Sequence, residues 1–141
     1  MPNWYLLVVD EDLYRYDTPV ALQGALRQRP DWRMCHETDH RKVLDYSGID
    51  AVLVDNDFGA GRESAQQLLD QGLDVGYVTA YDRNGLALQE QRRHGPWSFD
   101  HPNLTLLAKP GKNVNAQRTT TDLEAQMVAF LDSVTGPPES V

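Results

Sequence analysis

The sequence predicts an α/β protein in which helices cover both faces of one parallel sheet, giving three layers. Two observations predict this fold class. Five short apolar segments alternate along the chain with five longer segments in which apolar residues have helical spacing. The apolar runs at 4–9 and 49–54 are almost unbroken, as in strands that are buried on both faces. This alternation favours a doubly wound, five-stranded parallel sheet with right-handed crossovers.

Capping signals and prolines set the elements of the first half of the chain. Thr18-Pro19 favours a helix start, because threonine caps free N–H groups and proline fits the first helical position. Arg29-Pro30 ends this helix, because the residue before a proline avoids helical conformation. The predicted elements are, in order, a strand at 4–9, a helix at 18–29, a strand at 32–36 and a short helix at 39–46.

Similar signals set the second half. Gly72 fits the left-handed position that closes a helix. Thr121 and Glu124 have the spacing of a capping box, and the apolar residues of the following segment share one helix face. That face consists of Leu123, Met127, Phe130, Leu131 and Val134. The predicted elements are a strand at 49–54, a helix at 63–71, a strand at 75–79, a helix at 84–93, a strand at 104–108 and a last helix beginning near Thr121.

Length and composition suit one folded domain. The chain has 141 residues, of which 40% are hydrophobic and 24% are charged. We expect a single domain over 1–135 and a flexible tail at 136–141, where glycine and two prolines follow the last helix.

Charge limits the expected partners and location. The net charge is −8, with 15 aspartates and only 3 lysines, so we expect no binding to nucleic acid or to an anionic membrane surface. No apolar run is long enough to span a membrane, and no basic segment precedes an apolar run as in a signal peptide. The single cysteine, Cys35, excludes an internal disulfide. These features predict a cytoplasmic protein.

Polar residues follow four of the predicted strands. The carboxyl ends of parallel strands meet at one edge of a sheet, which is where functional groups gather. The residues at these ends are Asp10, Glu11, Asp55, Thr79 and Lys109. Clustered carboxylates attract Mg²⁺, which prefers oxygen ligands and is often completed by phosphate oxygens. Asp55 beside such a cation can act as a nucleophile toward phosphorus, while Lys109 and Thr79 bind phosphoryl oxygens.

Four short motifs resemble those of the receiver domains of two-component response regulators, from about Trp4 to Leu131. The motifs are Leu7-Val8-Val9-Asp10-Glu11, Leu53-Val54-Asp55, Val78-Thr79-Ala80-Tyr81 and Ala108-Lys109-Pro110. The resemblance implies a flavodoxin-like (βα)5 fold. It also implies a Mg²⁺ site made by Asp10, Glu11, Asp55 and the backbone carbonyl of Asp57.

The resemblance gives the remaining residues of the site their roles. Asp55 corresponds to the phosphoacceptor, and Thr79 to the hydroxyl that takes part in switching. Lys109 corresponds to the lysine that contacts the phosphoryl group, and Ala80 to the small residue that leaves room for it. The resemblance therefore implies an aspartyl phosphate at Asp55, formed in a Mg²⁺-dependent reaction.

The sequence also departs from the pattern of the family. Glu11 stands where a second aspartate is usual, and Leu106 stands where the family commonly has a tyrosine or phenylalanine that turns inward on activation. The segment before the last strand is longer than usual and contains Trp97 and Phe99. These aromatic residues either pack on the sheet or bind a partner, and packing is the favoured interpretation.

The leading hypothesis is a single-domain response regulator that receives a phosphoryl group from a sensor histidine kinase or a phosphotransfer protein. Its output is binding to a downstream protein or phosphorelay, as a monomer or weak homodimer. It is not an enzyme in the sense of substrate turnover, because it catalyses only its own phosphorylation and dephosphorylation. One alternative is a degenerate receiver that binds partners without phosphorylation.

A second alternative is a phosphatase of the haloacid dehalogenase type, because Asp55-Asn56-Asp57 fits the Asp-x-Asp start of that class. Such an enzyme needs a further acidic pair after Lys109. Asp122 and Glu124 follow it, but both fall on the predicted last helix, and Asp10 and Glu11 stay without a role.

Overall fold

The computed structural model of the protein describes residues 3–10, 18–55, 60–79, 83–95, 97, 100–109 and 120–136. These residues form five strands, four α-helices and one 3₁₀ helix. In chain order they are β1 (Trp4–Val9), α1 (Thr18–Gln28), β2 (Trp32–Glu37), the 3₁₀ helix (His40–Asp45), β3 (Ala51–Asp55), α2 (Ala60–Asp70), β4 (Asp74–Thr79), α3 (Arg83–His94), β5 (Leu104–Ala108) and α4 (Thr120–Thr135).

All five strands are parallel and lie in the order β2-β1-β3-β4-β5. This is a flavodoxin-like α/β fold, and the prediction of a doubly wound parallel sheet is confirmed. The order places β1, β3 and β4 in the interior of the sheet and leaves β2 and β5 at its edges. The strand order changes direction beside β1, so the carboxyl ends of β1 and β3 lie where such folds form binding crevices.

Two apolar cores cover the two faces of the sheet, because successive residues of a strand point to opposite faces. Leu6 and Val8 of β1 join a core with residues of α1 and α4. Leu7 and Val9 join the opposite core with residues of α2, α3 and the 3₁₀ helix. The buried residues of α4 are Leu123, Met127, Phe130 and Leu131, which confirms the predicted apolar face of the last helix. The three-layer arrangement is therefore present.

Most of the predicted elements agree with the observed ones to within a few residues. The short helix predicted at 39–46 is a 3₁₀ helix, and Asp39 accepts a hydrogen bond from the backbone N–H of Arg41 at its start. Asp55 is the last residue of β3 rather than the residue after it. Gly72 has a φ of 82°, as its predicted position at the end of α2 requires. Of the predicted tail at 136–141, only Gly136 lies among the described residues.

A buried arginine joins the ends of α1 and α4. The Arg29 side chain is 2% exposed and donates to both carboxylate oxygens of Asp31, at 3.1 and 2.8 Å. It also forms an ion pair with Asp132 and donates to the Thr135 hydroxyl at 2.9 Å. Asp31 precedes β2, so this charge cluster lies at the amino-terminal ends of the strands, opposite the predicted site. No described helix is long and apolar enough to cross a membrane.

Candidate functional site

The strand register brings the predicted site residues together at the carboxyl ends of the strands. Val9 pairs with Val54, so Asp10 lies beside Asp55 at the carboxyl ends of β1 and β3. Asp55 in turn pairs with Val78, so Thr79 ends β4 one residue farther along. Neighbouring strands are about 4.8 Å apart, which puts side chains at adjacent strand ends within reach of one another.

The same alignment extends to the fifth strand. Thr79 pairs with Ala108, and the backbone N–H of Lys109 donates to the carbonyl oxygen of Thr79 at 2.8 Å. This hydrogen bond continues the pairing of β4 and β5 by one residue. It fixes the backbone from which the Lys109 side chain reaches across the end of β4.

The Lys109 ammonium forms an ion pair with the carboxylate of Asp55. The two side chains are 18% and 19% exposed, so water screens this attraction only in part. The positive charge stabilises the ionised carboxylate, which is the form that can act as a nucleophile. A bound anion at this position would meet the same ammonium group.

Asp10 is held on the other side of the site by β2. The backbone N–H of Asp10 donates to the carbonyl oxygen of Glu37 at 3.1 Å, and His36 Nε2 donates to the carbonyl oxygen of Asp10 at 2.9 Å. Asp10 is 7% exposed and Thr79 is 1% exposed. Two buried polar side chains therefore flank the ion pair of Asp55 and Lys109.

Glu37 carries a further negative charge near this end of β2. The backbone N–H of Asp39 and the hydroxyl of Tyr46 donate to its carboxylate, at 2.9 and 3.0 Å. These hydrogen bonds hold the pKa of Glu37 below its usual value, and the bond to Glu37 raises the pKa of Tyr46. Arg41 donates to Asp39 and lowers its pKa to about 2. Two ionised carboxylates therefore lie at the end of β2, the strand that pairs with the backbone of Asp10.

Asp10, Asp55, Thr79 and Lys109 lie where the sequence placed them, and the structure brings them together. Glu11, Asp57 and Ala80 lie outside the described residues. Within the described ranges, no group of three or more His, Cys, Asp or Glu side chains is arranged to hold a metal. The donors that are described, two carboxylates at neighbouring strand ends, have the oxygen chemistry that Mg²⁺ prefers.

Leu106 and Trp97 show how the second half of the sheet is packed. Leu106 pairs with Tyr77 in the sheet and packs against the core on the α2 and α3 face. The Trp97 ring contacts Tyr77 edge-on at 5.3 Å, and Trp97 Nε1 donates to Gln66 Oε1 at 2.9 Å. The favoured interpretation of Trp97 as a packing residue is confirmed, whereas Phe99 lies outside the described residues.

Two residues beside the site were not found from the sequence. His36 of β2 is one of them, and its Nε2 donates to the backbone carbonyl oxygen of Asp10. Gln126 of α4 bonds to the backbone of Ala108, next to Lys109. Both contacts join residues far apart in the chain through backbone groups, and no local pattern in the sequence marks such a contact.

No protein-family model matches the chain, and no curated protein matches it. Among solved structures, the chain is similar to a de novo designed protein with a Rossmann 2x3 fold. The TM-score is 0.56 at 13% identity, and the match covers 99% of this chain and 97% of that one. It is also similar to a response regulator receiver protein from Sinorhizobium medicae WSM419, with a TM-score of 0.49, 17% identity and coverage of 90% and 95%. The likeness to the designed protein, at 13% identity, shows the fold alone, so the function must be argued from the site.

Proposed function

We propose that this chain is a receiver domain that accepts a phosphoryl group on Asp55 in a Mg²⁺-dependent reaction. The donor is a phosphohistidine of a sensor histidine kinase or phosphotransfer protein. The observation that supports this most is the ion pair of Lys109 with Asp55 at the carboxyl edge of the sheet. Asp10 follows β1 and Thr79 ends β4, so a carboxylate and a hydroxyl that phosphoryl transfer can use lie on either side of Asp55.

The transfer is a displacement at phosphorus. A carboxylate oxygen of Asp55 attacks, a P–O bond forms, and the P–N bond to the donor imidazole breaks with its electron pair leaving on nitrogen. Negative charge on the phosphoryl oxygens must be stabilised during this step. The Lys109 ammonium, which already contacts Asp55, binds one of these phosphoryl oxygens, and the Thr79 hydroxyl donates a hydrogen bond to another.

Mg²⁺ fits the donor set of Asp10 and Asp55, with Glu11 and the backbone carbonyl of Asp57 as the further proposed ligands. When bound, it supplies positive charge that offsets the repulsion between the carboxylates and the incoming phosphoryl group. Hydrolysis of the acyl phosphate by water returns Asp55 to its starting form. On this proposal the domain catalyses its own modification and not substrate turnover.

The added charge at Asp55 is the proposed signal to a downstream protein partner or phosphorelay histidine. A phosphoryl group brings two or nearly two negative charges and strong acceptor oxygens, which draw Lys109 and Thr79 toward it. Leu106 cannot turn a ring inward, so the change must travel through the backbone after β4 and β5. These strands are joined directly at Thr79 and Lys109.

A second candidate function is a binding module that works without phosphorylation. It is favoured by Leu106, whose side chain packs in the core where an aromatic switch would be expected. In this function the charged edge is a fixed recognition surface, and Mg²⁺ and phosphoryl donors have no effect on partner binding.

Intact mass after incubation with acetyl phosphate and Mg²⁺ tests the proposal. We expect the wild-type chain to gain one phosphoryl group, and Asp55→Asn to gain none, because an amide is not a nucleophile toward phosphorus. Asp50→Asn is the matched control, since Asp50 accepts a hydrogen bond from the Tyr5 backbone at 2.8 Å near the opposite edge of the sheet. It should be phosphorylated like the wild type.

Two results would count against the proposal. One is equal modification of the Asp55→Asn variant, which would place the phosphoryl group elsewhere. The other is no gain of mass together with no change in NMR shifts on adding beryllofluoride and Mg²⁺. That pair of results would favour the binding module.

A further inference from the structure

Gln126 of α4 bonds to the open edge of the sheet beside Lys109. The N–H of Ala108 donates to Gln126 Oε1 at 2.8 Å, and Gln126 Nε2 donates to the carbonyl oxygen of Ala108 at 3.1 Å. The amide of one side chain therefore satisfies both backbone groups of one residue. Only this orientation of the amide allows both bonds, because its oxygen accepts and its nitrogen donates.

The position of these bonds is unusual for an edge strand. β5 pairs with β4 on one side only, so alternate backbone groups of β5 point away from the sheet. The Ala108 groups face this open side, while Lys109, the next residue, bonds to Thr79 on the inner side. The Gln126 amide thus takes the place of a further strand at this one residue.

The two sets of bonds hold the end of β5 from opposite sides. Thr79 fixes the backbone of Lys109 toward β4, and Gln126 fixes the backbone of Ala108 toward α4. Gln126 is half-buried, and its helix neighbour Met127 is fully buried in the core. Since α4 is anchored in the core, the Gln126 amide supports Ala108 rigidly, and Ala108 is the residue directly before Lys109.

We propose that Gln126 is a positioning residue for Lys109. It holds the Lys109 ammonium against Asp55 and, during phosphorylation, against the phosphoryl group. This inference rests on the proposed function. Lys109 acts on charge that develops during transfer, so a shift of its backbone lowers the rate of transfer. Asp10 follows β1 and Asp55 ends β3, and a weaker contact of Lys109 with Asp55 leaves both carboxylates available, so the affinity for Mg²⁺ does not fall when this support is lost.

The test compares Gln126→Met with the wild type and with Gln66→Met. Methionine keeps the length of the side chain and removes both hydrogen bonds. Gln66 is the matched control, because it also bonds by its amide, to Trp97 and Asp70, and belongs to α2, which covers the opposite face of the sheet from α4. The measurements are the rate of phosphorylation by acetyl phosphate, the apparent affinity for Mg²⁺, and hydrogen exchange of the Ala108 amide.

We expect the phosphorylation rate of Gln126→Met to fall by at least about threefold, since small misplacements of a positioned group cost up to ~10²-fold in rate. Its Mg²⁺ affinity should fall by no more than about twofold, and its Ala108 amide should exchange faster. Gln66→Met should keep the wild-type rate. Gln126→Glu keeps the hydrogen-bond acceptor and loses the donor, so its phosphorylation rate should also fall. This variant replaces Gln126→Met in the test if the methionine variant does not fold.

Three results overturn the inference. A wild-type rate in a folded Gln126 variant shows that the support is not needed. A parallel loss of rate and Mg²⁺ affinity shows a general structural effect instead of positioning of Lys109. Failure of the wild-type chain itself to take a phosphoryl group removes the proposed function, and the inference fails with it. The wild-type sample thus distinguishes the two failures.

Discussion

The Lys109 ammonium and the Asp55 carboxylate meet where two charges are only partly exposed to water. In this setting the ammonium neutralises Asp55 at rest, and in the proposed function it also faces the phosphoryl group during transfer. The proposed chemical role can be measured separately from the structural one.

Replacing Lys109 by methionine removes the charge and keeps most of the length of the side chain. We expect phosphorylation by acetyl phosphate to slow by about 10²-fold, the typical effect of removing one group that stabilises developing negative charge. The rate is measured by intact mass over time. Lys42→Met is the matched control, because Lys42 is an exposed residue of the 3₁₀ helix. An unchanged rate in Lys109→Met would contradict the proposed role.

Single residues of the site were predictable to the extent that strand ends are predictable. Asp10, Asp55, Thr79 and Lys109 each follow or end a clear apolar strand, and parallel strands bring such ends together. His36 and Gln126 were missed because each bonds to a backbone group of a distant residue. A glutamine between apolar helix positions looks like any solvent-facing residue.

Close contacts between elements appear at two glycines. A Cβ on Gly76 of β4 would lie 2.7 Å from Leu53 Cδ2 and 3.3 Å from Phe130 Cδ2, both in the buried core. A Cβ on Gly24 of α1 would overlap the carboxylate of Glu124, which is the end of a flexible side chain. The two sites therefore differ in how easily their neighbours can move.

We expect Gly76→Ala to lower the free energy of unfolding by about 1–3 kcal/mol, because a packed core cannot accept the extra methyl group without strain. Gly24→Ala should change it by less than about 1 kcal/mol, since Glu124 can turn aside and alanine favours the helix. Urea denaturation of both variants measures the difference. Equal losses would show that the core beside Gly76 adapts.

The Arg29 cluster joins α1, β2 and α4 and carries a pH dependence. Hydrogen bonds from Arg29 lower the pKa of Asp31 below its unfolded value. Asp31 therefore contributes stability that is fully present above about pH 4 and is lost as the pH falls through its lowered folded value.

We expect Arg29→Met to lower the free energy of unfolding by about 1–3 kcal/mol at neutral pH, because it leaves Asp31 and Asp132 without their buried partner. The variant should also lose less stability than the wild type between neutral pH and about pH 3, since Arg29 then no longer lowers the pKa of Asp31. Urea midpoints at the two pH values measure this. A parallel loss in both proteins would assign the acid sensitivity to other carboxylates.

Element types were easier to predict than element ends. The apolar runs and helical faces fixed all five strands and the four α-helices, because burial requires these patterns. The 3₁₀ helix was predicted only as a short helix, since six residues bounded by Asp39 and Tyr46 do not contain a signal for the tighter winding. Asp55 belongs to β3 because its backbone continues the pairing with β4, which the side chain does not reveal.

At the scale of the whole molecule, the strand order brings together residues that are far apart in the sequence. The order β2-β1-β3-β4-β5 places Asp10 and Asp55 on adjacent strands and carries the site across to Lys109. The doubly wound fold was predictable from alternation alone, because a parallel sheet requires a crossover between successive strands. The fold hosts many functions, so the proposed function depends on the residues at this edge.

The most direct test identifies the modified residue. The chain is incubated with acetyl phosphate and Mg²⁺ and then reduced with borohydride, which converts an aspartyl phosphate to homoserine, and the peptides are analysed by mass spectrometry. We predict homoserine at position 55, and none when Mg²⁺ is removed. Aspartate retained at position 55 in a sample whose intact mass shows phosphorylation would contradict the assignment of Asp55 as the phosphoacceptor.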